Sequence, residues 1–127
     1  MKTVDRETQT RLDKAIAYFM GWRIDNSFPD KGKVWRNGNR LELETTFKFS
    51  SDWNALMEVY EKVNELEKYY CRFYSGYCAV YERWTDDSLV WQAPHKEAPI
   101  STIEAVYRCL GEFIEHYNQM QINGQQS

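Results

Sequence analysis

A chain of 127 residues, 43% hydrophobic and 28% charged, has the size and balance of one folded domain, which excludes two domains, a disordered chain and a membrane-spanning class. A formal net charge of −3 gives no basic field, so DNA binding is not expected. Three cysteines without C-x-x-C spacing, Cys71, Cys78 and Cys109, and only two histidines, His95 and His116, exclude a disulfide framework and point to no metal or cofactor.

Residues 4 to 19 carry Leu12, Ala15, Ile16 and Phe19 at helical spacing, which predicts an amphipathic helix ending at Gly21. Turn residues then lead to Asn37-Gly38-Asn39, a hairpin signal that joins strands at 33–35 and 40–49. In the second of these, Leu41, Leu43, Thr45, Phe47 and Phe49 alternate with Glu42, Glu44, Thr46 and Lys48, which predicts one core face and one wet face. Ser50 or Ser51 is the expected N-cap of a second helix reaching about Glu67, with Asp52 in its first turn.

Three runs rich in Tyr, Phe, Val and Trp, 69–74, 77–84 and 88–91, are separated by Ser75-Gly76 and Asp86-Asp87 and read as an antiparallel meander. After Pro94 and Pro99, Ser101-Thr102-Ile103-Glu104 is a capping box that opens a third helix with a stripe from Ile103 to Tyr117. Residues 1–118 form the expected domain, and 119–127 a polar tail with little to bury. The amphipathic faces sum to an α+β fold, an antiparallel sheet of about four to five strands layered with three helices. Apolar stripes in excess of what one small domain hides predict a homo-oligomer.

The run from Phe49 to Val63, Phe-Ser-Ser-Asp-Trp-Asn-Ala-Leu-Met-Glu-Val-Tyr-Glu-Lys-Val, resembles the signature of small bacteriophage and prophage proteins of the phage ABA sandwich family. Met20-Gly21-Trp22 and Ala98-Pro99-Ile100 are similar to two further positions in that family, so the resemblance covers roughly residues 12 to 115. It implies an ABA-type sandwich and a phage protein working in the host bacterial cytoplasm. The long first helix and the tyrosine-rich block 69–84 depart from the family pattern.

No nucleophile elbow, zinc-protease helix or phosphate-binding glycine loop occurs in the sequence, so catalysis is not expected. Aromatic and arginine residues interleave instead: Trp35, Arg36, Arg72, Tyr74, Tyr81, Arg83 and Trp84 are the candidate ligand-binding set. Aromatic rings stack on bases, and guanidinium groups pair with phosphates. The same residue types form protein-binding hot spots, and also the rim of an ordinary core. With the resemblance, they point to a non-enzymatic accessory protein that counters host defence by sequestering a small nucleotide or masking a host protein. The alternative is a structural or regulatory protein that contacts only other phage proteins. Arg83→Ala is expected to weaken ligand binding with little loss of folding stability.

Overall fold

The structure, a computed structural model, describes residues 5–84, 88–93 and 101–126. Helix α1 spans Arg6–Phe19 and is capped by Asp5, whose carboxylate accepts from the Thr8 N–H at 2.7 Å. Strands β1 (Arg23–Asp25), β2 (Val34–Asn37) and β3 (Arg40–Leu43) form a small antiparallel sheet in that order. Helix α2 (Trp53–Asn64) follows, then a second antiparallel sheet of β4 (Tyr69–Tyr74), β5 (Tyr77–Glu82) and β6 (Ser88–Ala93), and the long helix α3 (Thr102–Gln126).

The fold is therefore α+β with three helices and two three-stranded antiparallel sheets, not one sheet of four to five strands. The meander expected at 69–91 is present as β4–β6. The division arises in the stretch expected to be one strand, 40–49. That strand stops at Leu43, and Glu44–Thr46 wind into a 3₁₀ turn in which the Thr46 hydroxyl shares its proton between the Glu42 carboxylate at 2.5 Å and the Leu43 carbonyl at 2.8 Å. Beyond the turn Phe47 and Phe49 reach the core, while Leu41 and Leu43 stay 44% and 39% exposed. The side expected to be core is thus buried only after the chain has left the sheet.

The main core lies where α3 is held between α1 and the inner face of the second sheet, with α2 beside α3 and β4. Tyr69, Cys71, Phe73, Cys78, Val80, Trp91 and Ala93 supply the sheet side, on alternating positions that the register keeps on one face. Phe73 packs against Trp53 and Tyr60 of α2, and Tyr69 against Phe113 of α3. Gly111 brings α3 close to α1, since a Cβ there would lie 3.0 Å from Leu12 Cβ.

Three local expectations change. Asp52, not Ser50 or Ser51, caps α2, accepting from the Asn54 N–H at 2.9 Å, and the helix ends at Asn64. Only half of the capping box forms on α3: the Glu104 N–H donates to Ser101 Oγ at 3.2 Å, while the Glu104 carboxylate turns toward Arg108. Residues 119–126, expected as a tail, continue α3 to Gln126, and Met120 packs against the core. Gln, Met and Ile are adequate helix formers, and no proline interrupts them.

All three cysteines are buried and free, and Cys71 Sγ lies 3.3 Å from Cys78 Sγ. Hydrogen bonds from Cys109 and then Cys71 hold the Cys78 thiol low, whereas contact with Cys71 and Cys78, together with burial, pushes the Cys109 thiol up. Burial decides their reactivity, because a reagent must reach the sulfur. A bulky aromatic disulfide should label these thiols slower by about two orders of magnitude in the native protein than in denaturant. Equal rates would show that the core opens readily.

Candidate binding face

Among the described residues, no helix covers the outer face of the second sheet. Alternation and register place Tyr70, Arg72 and Tyr74 of β4 beside Tyr81, Ala79 and Tyr77 of β5, with Gln92 and Leu89 of β6 across from Ala79 and Tyr81. Three rows result. Tyr70 and Tyr81 stack, with centroids 5.2 Å apart, and Tyr74 stacks on Tyr77 at 6.5 Å. Between these two aromatic rows runs Arg72–Ala79–Gln92, and the Tyr77 hydroxyl donates to Gln92 Oε1 at 2.9 Å.

This is a solvated face in which tyrosine replaces the usual charged residues. Ala79 at its centre is fully buried under the surrounding side chains. Tyr74 is 61% exposed, so one ring face is open to a partner. The Arg72 guanidinium lies 5.6 Å from the Tyr70 ring centroid and that of Arg83 4.9 Å from it, each within the range of attraction between a cation and an aromatic face.

Of the seven candidate residues, the structure gathers Arg72, Tyr74, Tyr81 and Arg83 around this face, with Trp84 exposed just past the end of β5. Trp35 and Arg36 belong to the first sheet instead. Trp35 is 4% exposed, packs on Phe47 and donates its indole N–H to Glu44, so it offers no stacking surface. Arg36 pairs with Asp25 at 2.7 Å. Ser27, through its hydroxyl and its N–H, and then Arg36 hold the Asp25 carboxyl down to about 2.

Arg83 is also more structural than expected. Its Nε donates to the Tyr69 carbonyl at 3.2 Å and its Nη2 to the Asn64 carbonyl at 3.3 Å, tying the end of β5 to β4 and to α2. Replacing it disturbs the fold together with the face. Tyr70 belongs to the same interleaving as Arg72 and Tyr74, and Tyr77, which the interleaving does not single out, shares the period of Tyr81.

A second concavity of about 520 Å³ lies between the β2–β3 hairpin and α2, floored by Trp22, Phe47 and Phe49. Its rim carries Arg40 and Lys48, but also Glu42, Asp52 and Glu58. Three carboxylates disfavour an anionic ligand there. Among the described residues no set of three or more His, Cys, Asp or Glu side chains is arranged to hold a metal ion, and no helix is long and apolar enough to cross a membrane.

Comparison with known proteins finds no matching family model, no similar curated protein and no similar solved structure.

Proposed function

We propose that this chain is a non-enzymatic binding protein that holds a small nucleotide on the open face of β4–β6. The observation that carries this reading is the pair of tyrosine stacks with Arg72 midway between them. Residues 70 and 74 are four apart on a strand, so the aromatic rows stand about 13 Å apart, with the arginine row about 6.6 Å from each. A ligand with two flat bases and a phosphate link between them, a dinucleotide, matches that order of groups. Tyr74 and Tyr81 supply the stacking surfaces, and Arg72 the cation for the phosphate. Stacking contributes about 1–3 kcal/mol per base.

The resemblance to phage ABA sandwich proteins supports a setting in which a phage protein withdraws a nucleotide signal from its host. Calorimetric titration with cyclic and linear mono- and dinucleotides tests the binding. The expected result is a Kd of about 1 µM or tighter for a dinucleotide, about −8 kcal/mol. Arg72→Ala is then expected to weaken binding by about tenfold to a hundredfold, the loss of one charged hydrogen bond. Because that side chain is exposed, its melting temperature should stay within about 1 °C of the parent. Tyr74, Trp84 and Leu89 are large exposed side chains that equally suit a protein surface. Absence of heat with every nucleotide, together with specific co-purification of a host protein, would move the face to that reading.

A further inference from the structure

The free edge of the first sheet leads to an inference independent of the nucleotide reading. We propose that β3 pairs with β3 of a second copy, antiparallel about Leu41, to give a homodimer with a continuous six-stranded sheet. The β2–β3 hairpin pairs Asn37 with Arg40 and Trp35 with Glu42, and beyond them the Glu44 N–H donates to the Lys33 carbonyl at 2.9 Å. Hydrogen-bonded and non-bonded pairs alternate in an antiparallel ladder. The backbone groups of Arg40 and Glu42 therefore point at β2, and those of Leu41 point away from it, along the open edge.

In the second sheet the comparable edge is occupied. The Cys71 N–H, which faces outward from β4, donates to Asn64 Oδ1 at 2.6 Å. Among the described residues no side chain bonds the Leu41 backbone in this way, and the Leu41 side chain is itself 44% exposed. An exposed strand edge beside apolar side chains is a template for pairing.

Charge selects both the partner and the register. Centred on Leu41, a two-fold axis sets Arg40 of each copy opposite Glu42 of the other and lets the two Leu41 residues exchange both backbone bonds. Centred on Leu43, it would oppose Glu42 to Glu44, two like charges. Leu41 and Leu43 lie on the outer side of the sheet, beside Phe28 and Val34, around a shallow apolar hollow of about 290 Å³. In the dimer the two Leu41 side chains meet over that side. Arg40 and Glu42 lie on the inner side, where Arg40 rests over the Trp22 ring at 5.1 Å.

Sedimentation equilibrium of the full chain is the test. The expected mass rises from 15.2 kDa toward about 30 kDa between about 10 µM and about 500 µM, as suits a small interface. Arg40→Glu and Glu42→Arg each oppose like charges, so each variant alone should dimerise at least tenfold more weakly. An equimolar mixture of the two restores both ion pairs and should dimerise as the parent does. Leu41→Pro removes an N–H that points away from β2, together with the side chain that would meet its copy in the dimer, and should also be monomeric, with the β2–β3 ladder bonds of Arg40 and Glu42 retained and a nearly unchanged circular-dichroism spectrum. A parent that stays at 15.2 kDa throughout overturns the proposal. So do single variants that associate as tightly as the parent, or a mixture of folded variants that fails to associate.

Discussion

Gly111→Val is expected to destabilise the fold by on the order of 3 kcal/mol, the upper end of what overpacking a close contact costs. Glycine within a helix is itself unfavourable by about 1 kcal/mol relative to alanine, so its presence inside α3 needs a packing reason. That reason is Leu12 of α1. A Cβ on residue 111 would stand 3.0 Å from Leu12 Cβ and 3.2 Å from both Leu12 Cδ atoms. Leu12 is fully buried and cannot swing into solvent. Valine adds two further carbons into that space, so α1 and α3 must separate. Alanine is the milder case, because its gain in helix propensity offsets part of the clash. Chemical denaturation should show Gly111→Val combined with Leu12→Ala losing less than the sum of the two single losses, since the second change removes the two Leu12 Cδ atoms from the space that the first requires. Strict additivity would show that the contact between the helices is not the cause.

Asp13→Asn is expected to raise stability by on the order of 3 kcal/mol at pH 8 and to change it little at pH 3.5. Asp13 is 5% exposed on α1 and lies 2.8 Å from the Tyr107 hydroxyl of α3, which is itself 3.0 Å from the Gln9 carbonyl. Burial pushes the Asp13 carboxyl up to about 6; the Tyr107 hydrogen bond opposes this, and the nearby Glu44 charge adds to it. A folded-state value above the ordinary 3.8 means that the folded chain holds this proton more tightly than the unfolded one. Its stabilising contribution is complete below about pH 3.8 and disappears as the pH rises through about 6. Burial sets the direction, and the network tolerates the neutral form: a protonated Asp13 can donate to Tyr107, whose own O–H then donates to Gln9. Asparagine keeps that chain of donors at every pH and removes the ionisation. Thermal melts of both proteins across pH 3.5 to 8 measure the divergence. Curves separated by a constant offset would show that Asp13 does not titrate in this range.

Much of the architecture is legible in local pattern, and what is not depends on partners distant in sequence. Leu12, Ile16, Leu56, Val63, Leu110 and Phe113 lie at helical spacing and are all buried. The meander follows from the aromatic-rich runs and the Ser75-Gly76 turn. Positions 40 to 49 show where such reading stops. A ten-residue alternation describes one long strand equally well as a short strand followed by a turn that redirects the chain. The turn is made by Thr46 reaching back to Leu43, and by the Glu44 carboxylate receiving the Trp35 indole. The alternation marks two sides without saying which one another element covers, so Leu41 and Leu43, on the expected core face, lie exposed instead. Division of the strands between two sheets has the same origin, because no local signal records that β3 and β4 are not neighbours.

The candidate binding set divides along similar lines. Residue types and alternation single out Arg72, Tyr74 and Tyr81, which share a strand pair. Trp35 and Arg36 share only the composition of the motif, and their long-range partners, Phe47 and Asp25, take them out of it. Asp13 carried no local sign at all. It sits on the stripe side of α1, and only Tyr107, 94 residues further along the chain, makes its burial tolerable.

The most direct measurement of the binding claim is amide chemical-shift mapping on the isotopically labelled protein as cyclic and linear dinucleotides are added to about 1 mM, well above the expected Kd. The face of β4–β6 predicts saturable shifts centred on Tyr70, Arg72, Tyr74, Ala79 and Tyr81, with a midpoint moved to about tenfold to hundredfold higher ligand in Arg72→Ala. Shifts confined to the cleft around Trp22, Asn37 and Arg40, or no shifts with any dinucleotide, would contradict it.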